Sequence, residues 1–448
     1  MSLIDMTNAL MQPIQDSINK VCKQGLLPEG QSLEDLEAKD DLELVDDYPH
    51  FDKPIDKLSE NPSVMALIHM ILQKAIYASA SEVLIEPVGG DLRLRMRVDG
   101  LLKQMDRMSA GLHFPLLANF KAISGMDEKE QNLSQEGRFR IVTKDNQERD
   151  FYVHLLPSAQ GENIFLRALH KTPDLLDLDK LGIETSLVKE LKELSLKPQG
   201  LMLVSGPCDS GKTTTLYALL KNFDSNKQSI MTVEDPVEFS IPGFNQVDIK
   251  SKPGLSYPKA LDSILHQDPD VVLVGDIRDS ETLALSVKAA VTGRKVLASL
   301  QAPTAAGAIV RMIHMGLEPF LVTSALSVVV CQRLARRLCE YCRLPYTVSE
   351  DLLDTFGLKK LLPFHDGQFY KSCGCERCLK TGYQGRVGIF EILVLTKEMK
   401  DLFSKNESQI QGLAKTFGMK TMREDAILKA AAGLTSLEEV LRLTTADS

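Results

Sequence analysis

The stretch that most constrains the fold is residues 206–213, which read GPCDSGKT and match the pattern G-x-x-x-x-G-K-T. An apolar run at 201–204 precedes it, and a helix-forming run at 214–220 follows. A strand, a glycine-rich loop and a helix in this order form a P-loop, whose backbone N–H groups surround a phosphate. A chance glycine-rich turn is the alternative, and it needs neither flanking element. The sequence therefore predicts a nucleotide-binding α/β domain.

The motif also assigns roles to its residues. We expect Lys212 to contact the β- and γ-phosphates of a nucleotide and the Thr213 hydroxyl to bind Mg²⁺. The residues expected to hold the phosphates are Gly206, Pro207, Cys208, Asp209, Ser210, Gly211, Lys212, Thr213 and Thr214. Cys208 lies near a helix N-terminus, where thiol pKa values tend to fall, so its alkylation is expected to block nucleotide binding. An inert, buried thiol is the alternative for Cys208.

Two apolar segments after the P-loop end in acidic residues. Residues 230–233 lead into Glu234 and Asp235, and residues 271–275 lead into Asp276. A buried strand that places a carboxylate beside a P-loop supplies what Mg²⁺ binding and water activation require. We therefore regard Glu234 and Asp276 as candidate catalytic residues, the alternative being strands with merely polar ends.

Charge is distributed unevenly along the 448-residue chain. Its net charge of −9 resides in residues 29–60, where twelve Asp and Glu stand against three Lys. The rest is neutral, which argues against nucleic acid as the main partner. Residues 29–60 are expected to be a flexible linker, and the amphipathic stretch 1–28 either docks a partner or folds back on its own domain. No apolar run approaches the ~18–20 residues that span a bilayer, and no signal peptide is visible.

Residues 61–169 have the pattern of a small α/β domain. A helix is expected at 64–76 and strands at 81–87 and 92–98. The second strand alternates strictly and places Arg93, Arg95 and Arg97 on one face. These arginines form either a solvated or ion-paired surface or a source of positive charge for phosphates.

Four cysteines form two C-x-x-C pairs, Cys339 with Cys342 and Cys375 with Cys378. Two such pairs in a reduced chain indicate a structural, tetrahedral Zn²⁺ site, with two disulfides or unligated thiols as alternatives. The C-x-x-C spacing favours Cys375 over Cys373, which lies two residues before it. The C-terminal region is helical in pattern, with breaks at Gly418 and Gly433.

Taken together, these stretches resemble the secretion and pilus-assembly ATPases of type II secretion and type IV pilus systems, over about residues 62–445. The motifs concerned are residues 80–87, the Asp box at 232–238, the Walker B region at 268–279, the His box region at 300–320, the four cysteines, and residues 381–386 and 418–425. Retraction motors of the family lack the tetracysteine element, so the resemblance favours assembly or secretion.

The resemblance implies an α/β fold class with a RecA-like P-loop NTPase core, a small PAS-like N-terminal domain, a tetracysteine zinc subdomain and a helical C-terminal tail. The implied boundaries are 1–60 for an N-terminal helix and acidic linker, 61–169 for the PAS-like domain, 170–180 for a linker, 181–337 for the ATPase domain, 338–395 for the zinc subdomain and 396–448 for the helical region.

The resemblance also implies function, partners and cofactors. The implied protein is a cytoplasmic, homo-hexameric ATPase at the inner membrane that uses ATP, Mg²⁺ and Zn²⁺. It acts through a platform protein of that membrane and, in secretion systems, an accessory membrane protein, and so associates peripherally. Hydrolysis is expected to drive assembly of a pilus or pseudopilus.

The same resemblance adds Arg278 to the catalytic residues and has Arg97 or Arg138 of the small domain close on the γ-phosphate. The chain departs from the usual residues at seven positions, namely Asp209 for Gly, Asp276 for Glu, Gln301 for His, Asp262 and His266 for Arg, and Glu82 and Leu84 for Asp and His in the first signature. These departures predict slow turnover. They also leave open a structural subunit that binds nucleotide without hydrolysing it.

Overall fold

The structure is a computed structural model. It describes residues 42–44, 62–143, 148–169, 176–249, 254–348, 361, 367–396, 399 and 406–444. The helix predicted at 1–28 lies outside the described residues, as does most of the predicted linker at 29–60. Residues 170–175 of the second predicted linker also lie outside them.

The chain forms two compact units. One contains residues up to 168 together with 338–346 and 371–384, and the other contains 169–337, 347–370 and 385 onwards. The domain boundaries given above stay predictions.

The first unit is built on a seven-stranded sheet. Its elements are β1 (Leu42–Leu44), α1 (Pro62–Tyr77), β2 (Glu82–Val88), β3 (Asp91–Val98), β4 (Leu101–Ser109), α2 (His113–Ile123), β5 (Gln135–Thr143), β6 (Glu148–Ser158) and β7 (Gly161–Leu169). The strand order is β1-β5-β6-β7-β2-β3-β4. Ile68 of α1 and Phe120 of α2 are fully buried with Ile85 and Met96 of the sheet. Alternation along β3 therefore directs its apolar side chains into this core.

The arginines of β3 form ion pairs with glutamates of the neighbouring strand β2. Arg95 Nη2 lies 2.6 Å from Glu86 Oε1, and Arg97 Nε lies 2.7 Å from Glu82 Oε2. Arg93 Nε is 3.3 Å from Glu86 Oε2. The antiparallel register explains the pairing, because it places Glu82 opposite Arg97 and Glu86 opposite Arg93. The ion-paired alternative for this face is thus the one observed.

The second unit contains the P-loop. Its elements are α3 (Thr185–Ser195), β8 (Gly200–Ser205), α4 (Lys212–Leu220), β9 (Ile230–Glu234), β10 (Asn245–Asp248), α5 (Tyr257–Leu265), β11 (Val271–Ile277), α6 (Ser280–Val291), β12 (Lys295–Leu300), α7 (Ala305–His314), α8 (Pro319–Ala325), β13 (Leu326–Leu338), β16 (Tyr383–Val394), α9 (Glu407–Thr416), α10 (Met422–Ala431) and α11 (Leu437–Leu443). The short strands β14 (Leu344–Thr347) and β15 (Gln368–Lys371) lie between β13 and β16 in the chain.

The sheet of this unit has the strand order β10-β9-β11-β12-β8-β13-β16. The neighbours β9, β11, β12, β8 and β13 run parallel. In a parallel sheet the carboxyl ends of the strands meet at one edge, where ligands bind. The P-loop, the acidic strand ends and Gln301 therefore converge on one edge of the sheet.

The helical C-terminal region is confirmed. Helices α9, α10 and α11 are separated at Gly418 and Gly433, whose φ angles are 89° and 71°. Helix α11 is fastened to β13 by Glu439, whose side chain is 1% exposed. Arg336 donates to it from its backbone N–H and its guanidinium, and Arg442 donates through Nε and Nη2. Burial alone would favour the neutral acid, but these donors outweigh it and lower the pKa of Glu439 to about 2.

Replacing Glu439 with glutamine is expected to destabilise the protein by about 3 kcal/mol at pH 7, because it leaves two arginines without their buried carboxylate. The folded pKa lies below the usual 4.5, so this stabilisation is complete above pH 4.5 and is lost as the pH falls towards 2. Urea unfolding at pH 7 and pH 4 should show the difference between wild type and variant shrinking by about 1 kcal/mol. Glu193→Gln, at an exposed position of α3, is the control and should change stability little.

Lys295 is a second buried charge, at the start of β12 and 1% exposed. Its Nζ donates to the carbonyl of Leu194 at 2.6 Å. Burial, with a smaller contribution from Lys197, lowers its pKa from 10.5 to about 8. Lys295 is therefore still charged at pH 7, but its burial makes that charged form less favourable in the folded protein than in water.

Lys295→Met is expected to raise stability by about 1–3 kcal/mol at pH 7. The Leu194 carbonyl keeps a hydrogen bond from the Lys197 N–H in the variant. The penalty is complete below pH 8 and disappears as the pH rises to 10.5, so the advantage of the variant should vanish over that range. Urea unfolding at pH 7 and pH 10 measures this, with the exposed Lys288→Met as control. An equal gain at both pH values would contradict the charge penalty.

Candidate nucleotide-binding site

The P-loop connects the central strand β8 to α4. Gly206 and Gly211 have φ angles of 148° and 86°, and Asp209 lies in the left-handed region at 58°. A Cβ atom at Gly206 would lie 2.3 Å from the carbonyl oxygen of Gln332, so no side chain fits there. Aspartate tolerates left-handed backbone better than most residues, and Asp209 is exposed. Asp209 can therefore occupy its left-handed position in the loop with its side chain directed to solvent.

Lys212 is folded back over the loop. Its Nζ donates to the carbonyl oxygens of Gly206 at 3.1 Å and Pro207 at 2.8 Å. Burial lowers the pKa of Lys212, while Asp276, Cys208 and Asp209 act in the opposite direction. The ammonium group is thus held at the mouth of the loop by weak acceptors that a phosphate can replace.

The two predicted acidic strand ends meet at Arg278. Its Nε lies 2.8 Å from Asp276 Oδ2, and its Nη1 lies 3.0 Å from Asp235 Oδ2. Ser299 Oγ, on the neighbouring strand β12, lies 3.4 Å from Asp276 Oδ1. The guanidinium also lies over the Tyr257 ring, 5.8 Å from its centroid. Asp276 is therefore positioned near Lys212 but bound to a cationic side chain.

Glu234 behaves differently from Asp276. It is 2% exposed, and its carboxylate accepts hydrogen bonds from Tyr217, from Thr232 at 2.5 Å and from Gln246 at 3.3 Å. Burial raises its pKa against the effect of these donors. In this conformation Glu234 is bonded to Tyr217 of α4, the helix that follows the P-loop. Its catalytic role stays a prediction.

The loop has polar atoms that fit a nucleotide with Mg²⁺. Within the described part of the chain, the buried atoms Ser210 Oγ and Asp235 Oδ1 have no hydrogen-bond partner. Half-buried Thr213 follows Lys212 in the first turn of α4. The N-terminus of α4 adds the positive end of the helix dipole. A hydroxyl, a carboxylate oxygen and a helix N-terminus are the donor set that a metal-bound phosphate requires.

Arg97 and Arg138 belong to the first unit. Arg97 is paired with Glu82, and Arg138 is half-buried in β5. Gln301 lies in the second unit and lines an open cavity of about 340 Å³. Its backbone carbonyl oxygen accepts a hydrogen bond from the Arg311 guanidinium at 2.6 Å. The roles of the two arginines stay predictions.

The four predicted zinc ligands come together. The sulfur atoms of Cys339, Cys342, Cys375 and Cys378 lie within 4.8 Å of one another. Three of the pairs are 3.7–3.9 Å apart, and a tetrahedral site with Zn–S bonds of ~2.3 Å requires ~3.8 Å. Backbone N–H groups of Gly374 and Gly382 donate to Cys342 and Cys378. Although burial opposes it, N–H donors lower the pKa of Cys378 to about 7. The donor set fits Zn²⁺.

Sequence reasoning missed several residues around the loop, namely Tyr217, Gln246, Tyr257, Ser299 and Gln332. Each is far in sequence from the side chain that it contacts, and Gln332 is 117 residues from Thr215. No local motif marks them, since their positions follow from the order of the strands.

Fold and site together define a P-loop nucleotide-binding protein with a four-cysteine cluster. The family model described as "Type II/IV secretion system protein" matches residues 57–442, and the chain belongs to this family. It is 39% identical over 420 residues to Type II secretion system protein E of Aeromonas hydrophila, covering 93% of this chain and 83% of the relative. It is 37% identical over 438 residues to Type IV pilus assembly ATPase PilB of Myxococcus xanthus, covering 96% and 77%.

Solved structures agree on the fold. The ATPase DotB of Legionella pneumophila gives a TM-score of 0.63 at 16% identity, covering 87% of this chain and 97% of that one. The pilus retraction motor PilT with bound ADP gives 0.59 at 22% identity, covering 84% and 96%. Among the described helices, none has the length and hydrophobicity to cross a membrane.

Proposed function

We propose that this protein is an ATPase motor that couples ATP hydrolysis to assembly of a type IV pilus or a type II secretion pseudopilus. The observation that carries the proposal is a complete P-loop with Lys212 at its mouth, at the sheet edge where Arg278 joins Asp235 and Asp276. The relatives named as a pilus assembly ATPase and a secretion system protein E support the assignment of the system.

In this proposal each residue at the sheet edge has a defined task. ATP with Mg²⁺ supplies the phosphoanhydride and the electrophilic phosphorus. Lys212 exchanges its two carbonyl acceptors for phosphate oxygens, and the backbone N–H groups of residues 208–214 orient the phosphates. Thr213 and the carboxylates of Asp235 and Asp276 would hold the metal. Arg278, which neutralises both carboxylates, is then available for developing negative charge.

The partners follow from the family. A homo-hexamer at the cytoplasmic face of the inner membrane would act on a platform protein and, in secretion systems, an accessory membrane protein. Arg97 or Arg138 would close on the γ-phosphate. Arg97 would then exchange its ion pair with Glu82 for a contact with the phosphate. The tetracysteine element would bind Zn²⁺.

A second candidate is a structural subunit that binds nucleotide without turnover. The pairing of Asp276 with Arg278 favours it, because Asp276 would have to give up this contact before its carboxylate could act on a water molecule. Gln301 also cannot carry a proton near neutral pH.

Phosphate release separates the two candidates. The motor predicts Mg²⁺-dependent phosphate release from ATP by the purified full chain, measured with and without its platform protein. The structural subunit predicts ATP binding with no release above that of Lys212→Ala. Absence of any ATP or ADP binding would refute both.

A further inference from the structure

Gln332 in the middle of β13 contacts both ends of the P-loop. It is 3% exposed and lies next to β8, with the register Cys331 opposite Ser205. Its backbone carbonyl oxygen is the atom that a Cβ at Gly206 would meet at 2.3 Å. Its side-chain Nε2 would lie 2.8 Å from a Cβ at Gly211. One residue therefore packs against the first and the last glycine of the loop.

The same side chain is bonded to the helix that follows the loop. Thr215 Oγ1 donates to Gln332 Oε1 at 2.6 Å, and Thr215 is fully buried. Because β13 is held in the sheet by its pairing with β8, this bond ties the first turn of α4 to a rigid strand. Loop, helix and strand are thereby linked through one amide group.

We propose that Gln332 is a positioning residue that holds the P-loop in its phosphate-binding conformation before nucleotide arrives. The loop has reason to need such support, since Asp209 adopts a left-handed conformation that L-residues disfavour. A loop that is already ordered loses little conformational entropy when nucleotide binds. The loop order supplied by Gln332 therefore increases the affinity for nucleotide. The inference rests on the proposed function only in taking nucleotide as the ligand of this loop.

The test is a double-mutant cycle read by ADP affinity. Gln332→Leu keeps the apolar volume and removes the amide, and Thr215→Val removes the hydroxyl. Each is expected to weaken ADP binding about ten-fold, the equivalent of one buried hydrogen bond. The double variant should be no weaker than either single one, because both remove the same bond. Thr215→Ser should retain wild-type affinity.

Thr435→Val is the matched control. The Thr435 hydroxyl is also fully buried and donates to β13, at the carbonyl of Arg336 at 2.8 Å, away from the loop. We expect this variant to bind ADP as the wild type does. Hydrogen exchange without nucleotide should show faster exchange at the amides of residues 206–213 in Gln332→Leu and no change there in Thr435→Val.

Wild-type ADP affinity in Gln332→Leu would overturn the proposal, and so would single-variant losses that multiply in the double variant. Equal weakening in Thr435→Val would also overturn it, by showing a general effect of destabilising β13. If the wild type itself fails to bind ADP, the proposed function is wrong, and the exchange rates of residues 206–213 still decide whether Gln332 orders the loop.

Discussion

Lys212→Ala is expected to weaken ATP and ADP binding by at least about 100-fold and to abolish phosphate release. The side chain is the positively charged donor at the mouth of the loop, where it now bonds to two backbone carbonyls. Hydrogen bonds to charged groups contribute about 1.5–3 kcal/mol each, and two of them give a factor of about 100 or more. Fluorescent ADP titration measures the affinity.

Lys221→Ala is the control for this variant. Lys221 is exposed and follows the last residue of the same helix. The Lys221→Ala substitution therefore removes an equal charge without changing the loop. We expect unchanged affinity. If Lys212→Ala binds ADP as the wild type does, the ligand does not occupy the P-loop.

The second large effect is expected at the cysteine cluster. Cys375→Ser should reduce bound zinc from about one ion per chain to a small fraction, since a structural site needs all four ligands. Structural zinc contributes folding free energy directly, about 10–16 kcal/mol in isolated zinc-finger peptides. We therefore expect local unfolding around residues 338–346 and 371–384, detected by metal analysis and by proteolysis.

Cys373→Ser is the matched control for the zinc prediction. Cys373 is exposed, precedes Cys375 by two residues and lies outside the cluster of four. This variant should retain its zinc and its resistance to protease. Full zinc content in Cys375→Ser, or zinc loss in Cys373→Ser, would show that the metal is held by a different set of residues.

Much of the site was predictable because its chemistry is local in sequence. A P-loop requires its glycines, lysine and threonine at fixed spacing, and the structure places a strand before them and a helix after them. The cysteine pairs were equally local, and their sulfur atoms meet. Parallel strands explain why Glu234 and Asp276 were expected near the loop.

Other features were decided by neighbours across the sheets. Strict alternation put Arg93, Arg95 and Arg97 on one face, but only the antiparallel register gave them Glu82 and Glu86 as partners. Glu234 was a candidate catalytic residue because it is an acidic residue at the end of an apolar strand. In the structure it is buried, and its carboxylate accepts three hydrogen bonds from neighbouring side chains.

The sequence by itself thus determined that the chain has a phosphate cradle, a pair of acidic strands beside it and a four-cysteine cluster. Only the tertiary structure decided that Arg278 neutralises both carboxylates and that Gln332 supports the cradle from β13. The physical reason is distance along the chain. A glycine loop forms from its own residues, whereas the contact between Gln332 and Thr215 exists only once β13 has paired with β8.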